Sequence, residues 1–470
     1  MKLYNTMSRS IEVLKPINPD VISFYSCGPT VYDYPHIGNW TGYIYWDVLV
    51  RVLKASGNNV TWFMNLTDVG HLVSDDDSGE DKLEKGAKRE GKSAWDVAKF
   101  YTEDFISGLK ALSIQIPFNH LVAATDNIPE QIALIKKLEE KGFTYTIDDG
   151  VYFDSTKVAD YGKLARLDIN GLEAGIRVAV TDKKHPTDFA LWKFSPKNSI
   201  RDMEWDSPWG KGFPGWHIEC SAMAMKYLGE TIDIHAGGID HIPVHHTNEI
   251  AQSESATGKT FVNYWIHNNH MTLGGEKLSK SAQNGVTLQT IYEHGFTAEA
   301  FRLLVLQSHY RTQSNFSWDN LRSASHRIER WQSIADLRWQ DINSKTKTDL
   351  KSELNKIADS IIEALQNDID TPLAIAEIEA AMDILLGQLS VKTVDDCMHI
   401  LQTIRELLGI DLTSSRDLTD EQKQLLAQRS NARQKNDWNN SDSIRDQLHN
   451  QGIDIDDTAS GQRWSRIKVT

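Results

Sequence analysis

The sequence predicts an α/β protein of several units: a Rossmann-like parallel sheet split by an insertion, then an all-α helical bundle, then a small C-terminal α+β unit. Three observations predict this order. Short apolar runs alternate with helical periodicity before about residue 143 and again from about 215 to 270, as βαβ units do. The stretch from about 143 to 205 is strand and loop without such alternation. Beyond about residue 318 the periodicity is helical with almost no strand signal, and 470 residues are too many for one core.

Val21-Ile22-Ser23-Phe24-Tyr25 reads as a buried strand, and helical spacing runs from Tyr43 to Ala55 and stops at Gly57. Between them lie Cys27, the chain-turning Gly28-Pro29, and His36 ahead of a glycine. A thiol and an imidazole at the carboxyl end of a strand, facing a helix N-terminus, suit a nucleotide site in an open sheet. The residues alone equally allow a plain turn with a surface histidine. Asn59 to Met64 reads as a second strand. The acidic loop 75–81 lacks a complete EF-hand pattern and reads as solvated rather than as a calcium site. Lys82 to Leu112 is helical in period, and Pro129 to Lys141 begins with proline in its first turn and ends at Gly142.

Phe143 to Phe153, turning at Asp148-Asp149-Gly150, is a hairpin. Alternation resumes with a strand at Ile232 to His235, a helix at Asn248 to Thr257 and a strand at Phe261 to Ile266. Helical spacing then covers 319–340, 351–366, 372–388 and 394–408, and Cys397 reads as a core residue of that bundle. A polar joint at Ser414-Ser415 leads to two short helices and a small β element near 452–457.

Composition is that of an ordinary globular protein, 40% hydrophobic and 24% charged. The net charge of −15 weighs against a generic nucleic-acid coat, since phosphate contacts need concentrated Lys and Arg. Residues 413–470 carry nine basic and nine acidic residues, so the tail is neutral and is where an RNA partner would be sought. Three cysteines without a C-x-x-C pair argue against a disulfide framework. No apolar run approaches the ~20 residues of a bilayer span, and Met1-Lys2-Leu3-Tyr4-Asn5 lacks a signal-peptide core. A cytoplasmic protein is expected.

Cys220 closes the run Gly215-Trp216-His217-Ile218-Glu219-Cys220, and His245 and Glu249 lie four apart, on one face of a helix. Two thiolates, an imidazole and a carboxylate could make a tetrahedral zinc set; buried, inert cysteines are the other reading. Lys277-Leu278-Ser279-Lys280-Ser281, after Gly274-Gly275, reads either as a solvated turn or as a loop that carries ammonium groups to a triphosphate.

Together these fragments resemble a family. Pro-His-Ile-Gly-Asn (35–39) resembles the HIGH signature of class I aminoacyl-tRNA synthetases, and 277–281 resembles their KMSKS signature. Cys-Gly-Pro-Thr-Val-Tyr-Asp (27–33), Gly-Trp-His-Ile-Glu-Cys-Ser-Ala-Met (215–223) and His-His-Thr-Asn-Glu (245–249) narrow the likeness to cysteinyl-tRNA synthetases. It extends over essentially the whole chain, down to Lys435-Asn436-Asp437-Trp438 and Ile444-Arg445-Asp446-Gln447-Leu448.

The resemblance implies ATP-dependent attachment of L-cysteine to tRNA(Cys) through a cysteinyl-adenylate, by a monomer that does not engage a membrane. It implies one zinc ion per chain on Cys27, Cys220, His245 and Glu249, selecting the substrate thiol, and magnesium with the ATP. Gly28, Thr67, Trp216 and His235 would bind cysteine. Thr30, His36, Asn39, Asp240, Lys277 and Lys280 would bind ATP, with His36, Asn39 and Lys280 catalytic. His217 and His246 neighbour motif positions and receive no role.

By the same resemblance the chain divides into a first catalytic half (1–125), an inserted connective domain (126–205) and a second catalytic half with the metal ligands (206–270). The KMSKS-like loop and stem-contact region (271–318), the bundle (319–412) and an anticodon-binding unit (413–470) follow. In that last unit Trp438, Arg445 and Trp464 could stack on or clamp unpaired bases. Two departures stand out. Asn39 occupies the place of the signature's final histidine, where an amide can donate a hydrogen bond but carries no charge. The run 240–244 lacks the usual proline directly before the paired histidines. The alternatives are a cysteine ligase with a small amino acceptor, which has no use for the tail, and a non-catalytic RNA-binding paralogue, which would have lost Lys280 or a metal ligand.

Overall fold

The computed structural model describes residues 1–70, 82–167, 183–196, 201–277, 285–340, 350–388, 394–458 and 461–467. The acidic loop 75–81 and Lys280 lie outside the described residues, as does the side chain of Lys277. The chain forms two compact units, the first made of Met1–Ala298, Ser308–Ser317 and Asn367–Ile369, the second of the remainder.

The first unit opens with a hairpin, β1 (Lys2–Asn5) and β2 (Ser10–Val13). Its centre is a five-stranded parallel sheet built from β3 (Val21–Ser26), β4 (Asn59–Leu66) and β5 (Leu121–Ala123), with β10 (Ile232–Gly238) and β11 (Val262–Asn268). The spatial order is β11-β10-β3-β4-β5. From β3 the chain winds outward through β4 to β5, and the later strands lie on β3's other side. The strand order therefore reverses between β3 and β10, where open α/β sheets place their ligands. Register puts Phe24 opposite Ile234 and Ser26 opposite both Ala236 and Met64, so the residues after Ser26 leave the sheet beside the end of β10.

Helix α1 (Ile37–Ala55) begins six residues before the expected Tyr43. The physical reason is at its mouth: the backbone N–H of His36 donates to Asn39 Oδ1 at 3.1 Å, which closes the first turn inside the motif. His36 is thus the residue that starts the helix. The single helical run expected over Lys82 to Leu112 is broken into α2 (Lys82–Glu90) and α3 (Ala94–Ala111), because Gly91 turns at φ +64° and the Ser93 hydroxyl caps a new start by accepting from Asp96 N–H; α4 (Ile128–Glu140) follows as expected.

Between the two halves of the sheet, β6 (Thr144–Ile147), β7 (Gly150–Phe153), β8 (Phe189–Phe194) and β9 (Gly212–Pro214) form an antiparallel sheet of their own. Helix α5 (Trp216–Leu228) leads from it into β10, and α6 (His245–Thr257) joins β10 to β11. This helix starts three residues before the expected Asn248, so both paired histidines belong to its first turn, with Val244 rather than a proline directly before them. β12 (Met271–Leu273), β13 (Glu276–Lys277) and β14 (Ser314–Phe316) make a small sheet, with α7 (Leu288–Glu293) between the last two.

In the second unit, α8 (Trp318–Ala335), α9 (Leu350–Gln366), α10 (Thr371–Gln388) and α11 (Val394–Leu408) form the helical region, with Cys397 fully buried. Helices α12 (Asp420–Gln434) and α13 (Trp438–Asn450) cover the hairpin β15 (Ile453–Thr458) and β16 (Gly461–Arg466). Trp464 does not serve as the exposed stacking residue expected from sequence. It is 5% exposed and packs with Leu418, Ile444, Leu448, Ile453 and Ile455. Its register opposite Ile455 turns the indole to the apolar face. Trp438, by contrast, is 52% exposed, with the Arg433 guanidinium 5.3 Å from its ring. Among the described residues no helix is long and apolar enough to cross a membrane.

Candidate metal and nucleotide site

Cys27 is the first residue after β3, and its N–H donates to Ala236 O of β10 at 3.0 Å, which fixes it at the reversal point. Gly28 follows, its N–H donating to Asn65 Oδ1 at 2.7 Å. A Cβ on Gly28 would sit 1.8 Å from Asn65 O, so only glycine lets the loop lie this close to β4. Gly28→Ala is expected to cost about 1–3 kcal/mol and to displace Cys27, read as a lower melting temperature together with reduced bound metal.

Four donors from distant segments meet here. Single ligand atoms of Cys27, Cys220, His245 and Glu249 all lie within 4.8 Å of one another, and all four residues are buried. Trp216 and Cys220 are one turn apart on α5 and face the same way; His245 and Glu249 do the same on α6. His245 Nε2 is 2.9 Å from Glu249 Oε1, while its Nδ1 is held 3.0 Å from His217 Nδ1. The Trp216 ring lies 4.4 Å from that of His245. A second combination, Cys27, His235, His246 and Glu249, also brings four ligand atoms within 4.8 Å.

The electrostatics suit a cation. Burial pushes the Cys27 thiol up, and the hydrogen bond from Cys27 followed by burial pushes that of Cys220 well up. Burial would lower His245, but the Glu249 carboxylate and Cys220 outweigh it and raise it to about 10. Burial would likewise raise Glu249, and His235 and His245 draw it down to about 2. Glu249 Oε2 takes a 2.9 Å hydrogen bond with His235 Nε2, and Oε1 faces His245 Nε2 at 2.9 Å. Two thiols, an imidazole and a carboxylate, all buried and within reach of one another, fit a borderline-soft divalent ion, so this group could hold a metal such as zinc.

The group opens on a cavity of about 250 Å³. Cys27, Cys220 and His245 line it, as do Gly28, Thr30, His36, Asn39, Trp216 and Asp240. Glu249 lies behind. Thr67 and His235 are not among the lining residues: the Thr67 hydroxyl donates to Glu219 Oε2 at 3.2 Å and His235 backs Glu249. Asp240 pairs with His270 at 2.9 Å, and Lys277 sits in β13 opposite Thr272.

The sequence reading missed Asn65, His270 and the layer of histidines beneath the ligands. His217 and His246 flank motif positions, which was the available signal; His267, one residue from the end of β11, gave none.

Known proteins resemble this chain throughout. The model of tRNA synthetases class I (C) catalytic domain matches residues 13–326, and that of the Cysteinyl-tRNA ligase anticodon binding domain matches 415–464. Cysteine--tRNA ligase 1 of Burkholderia lata is 43% identical over 468 residues, covering 98% of this chain and 96% of its own. Cysteine--tRNA ligase of Treponema denticola is 39% identical over 502 residues, covering 99% and 100%. Among solved structures, Mycobacterium tuberculosis methionyl-tRNA synthetase in complex with methionyl-adenylate superposes with a TM-score of 0.59 at 14% identity, over 83% of this chain and 92% of that one, a likeness of fold.

Proposed function

Because the chain belongs to the cysteinyl-tRNA synthetase family, whose reaction joins cysteine to tRNA, we propose that the buried ligand group holds one zinc ion and chooses the substrate by its sulfur. The observation that carries this is the convergence of Cys27, Cys220 and His245 on the wall of the cavity that His36 and Asn39 also line. The alternative set, with His235 and His246, opens on that cavity through Cys27 and so leaves an incoming thiol little access. Bound zinc would supply a soft Lewis acid for the substrate thiolate, which serine's hard hydroxyl matches poorly; a few kcal/mol of difference gives ~10³-fold selectivity.

The protein's own groups do the rest. Trp216 and the Gly28 backbone shape the cysteine end of the cavity. The cysteine carboxylate attacks the α-phosphorus of ATP; the new P–O bond forms as the bond to the bridging oxygen of pyrophosphate breaks. A ribose hydroxyl at the tRNA 3′ end then attacks the carbonyl carbon and AMP leaves. Negative charge gathers on phosphate oxygens in the first step. His36 at the mouth of α1, with the helix N-terminus behind it, is assigned to meet that charge, and by the sequence motif Lys280 is assigned the same task. Asn39 gives its Oδ1 to the turn, which leaves the amide hydrogens as its means of binding phosphate. Asp240 is assigned to the ribose and Thr30 and Lys277 to the phosphates.

Metal analysis tests the reading: purified protein is expected to carry about one zinc per chain, and a fully active metal-free enzyme would contradict it. The tail is assigned to tRNA. Trp438→Ala is expected to cost about 1–3 kcal/mol of tRNA binding, read as a raised KM for tRNA with cysteine-dependent ATP–pyrophosphate exchange unchanged. The small-acceptor ligase would show no such split.

A further inference from the structure

Beneath the ligands runs a chain of buried hydrogen bonds that no step above uses. His246 Nε2 lies 3.2 Å from Cys27 Sγ. On the other side of that ring, His246 Nδ1 meets His267 Nε2 at 2.7 Å, and His267 Nδ1 meets Thr6 Oγ1 at 2.7 Å. Thr6, His246 and His267 are each less than 5% exposed, so water does not compete for these atoms. The far end is fixed by backbone: Thr6 N–H donates to Trp265 O at 2.8 Å, and the neighbouring Asn5 side chain accepts from Trp265 N–H at 3.1 Å. The near end is fixed by space. A Cβ on Gly237 would lie 2.8 Å from His246 Cε1, so only glycine there lets the imidazole stand against β10.

Counting donors gives the chain one direction. A metal-bound Cys27 is a thiolate and only accepts, so His246 Nε2 must carry a proton; Glu249 Oε1, at 4.0 Å, is beyond hydrogen-bond reach of it. With Nε2 protonated, the neutral His246 ring has an accepting Nδ1, which His267 Nε2–H fills. His267 Nδ1 is then an acceptor, and the Thr6 hydroxyl is its donor. Every atom in the series is satisfied, with all the N–H and O–H vectors aimed towards sulfur.

We propose that Thr6 and His267 are positioning residues for the metal centre: through His246 they hold a hydrogen bond on the Cys27 thiolate and so set how much charge that sulfur gives the ion. The proposal rests on the ligand set assigned above. Outer hydrogen-bond partners of this kind orient ligands and tune the metal, and their loss costs roughly 10–100-fold in metal affinity.

The test uses cobalt(II) loaded into the full-length protein in place of zinc, read by the thiolate-to-cobalt charge-transfer band and by chelator competition. His267→Ala is expected to shift the band and raise the cobalt dissociation constant by about 10–100-fold. Thr6→Val, which keeps the shape and removes the hydroxyl, is expected to shift the band in the same sense by less, and Thr6→Ser to restore it. A merely structural role would not move the band. If His267→Ala fails to fold, Thr6→Val against Thr6→Ser decides. Wild-type protein that binds cobalt, with variants whose band and affinity match it, would overturn the relay and leave the metal site standing. Wild-type protein that takes up no cobalt would overturn both.

Discussion

Protein with Cys220→Ser is expected to purify without zinc and to catalyse cysteine-dependent ATP–pyrophosphate exchange about 10³-fold more slowly than the unaltered chain. Serine offers a hard hydroxyl that stays protonated where a soft thiolate is needed, so three ligands remain and the ion is lost. The sulfur preference, worth a few kcal/mol, goes with it. Because the substitution removes no buried methylene and Ser221 already sits beside Cys220 in α5, the fold should hold, with a stability change of about 1–2 kcal/mol. Metal analysis, exchange kinetics and a melting curve on the same sample separate loss of the ion from loss of the fold. The pH dependence is part of this expectation. Both thiols are raised, and His245 is raised to about 10, so loading the metal releases protons from these groups. Affinity for zinc should therefore fall as pH falls, by more than tenfold per pH unit if more than one proton is released.

His36→Asn is the second large effect expected. Asparagine is a favoured helix-starting residue, so α1 should still begin at Ile37. What is lost is the imidazole on the cavity wall proposed above to meet the phosphate charge. Removing one preorganised donor of that kind costs about 10²–10³-fold in kcat. The KM for cysteine should change little, because the end of the cavity proposed for cysteine, at Trp216 and Cys220, is built from α5. An equal fall in cysteine affinity and kcat would mean that His36 supports the cavity's shape and takes no part in stabilising charge.

The fold and much of the site were legible in the sequence for physical reasons. The β3 strand is a dense apolar run because both its faces are covered, and His245 and Glu249 announce themselves by helical spacing. Cys27 and Cys220 lie far apart in sequence; spacing left their pairing open, and only the family resemblance joined them. Helix starts were misplaced at His36–Asn39, where the Asn39 side chain closes the first turn, and at His245, where the helix begins directly after Val244 with no side-chain cap to announce it. Trp464 shows the same limit in another form, since an aromatic residue in a short strand looks alike whether its face is turned to solvent or to the core. The Thr6–His267–His246 series was invisible because its members come from β11, α6 and the turn after β1, with no period to connect them.

On the proposed assignment, the ion held by these four side chains tells a thiol from a hydroxyl. ATP–pyrophosphate exchange with cysteine against serine, run before and after zinc is stripped by a chelator and then restored, measures it directly. The expected result is a cysteine preference of about 10³ or more that disappears on stripping and returns with zinc. An equal preference in stripped and zinc-loaded protein would contradict it.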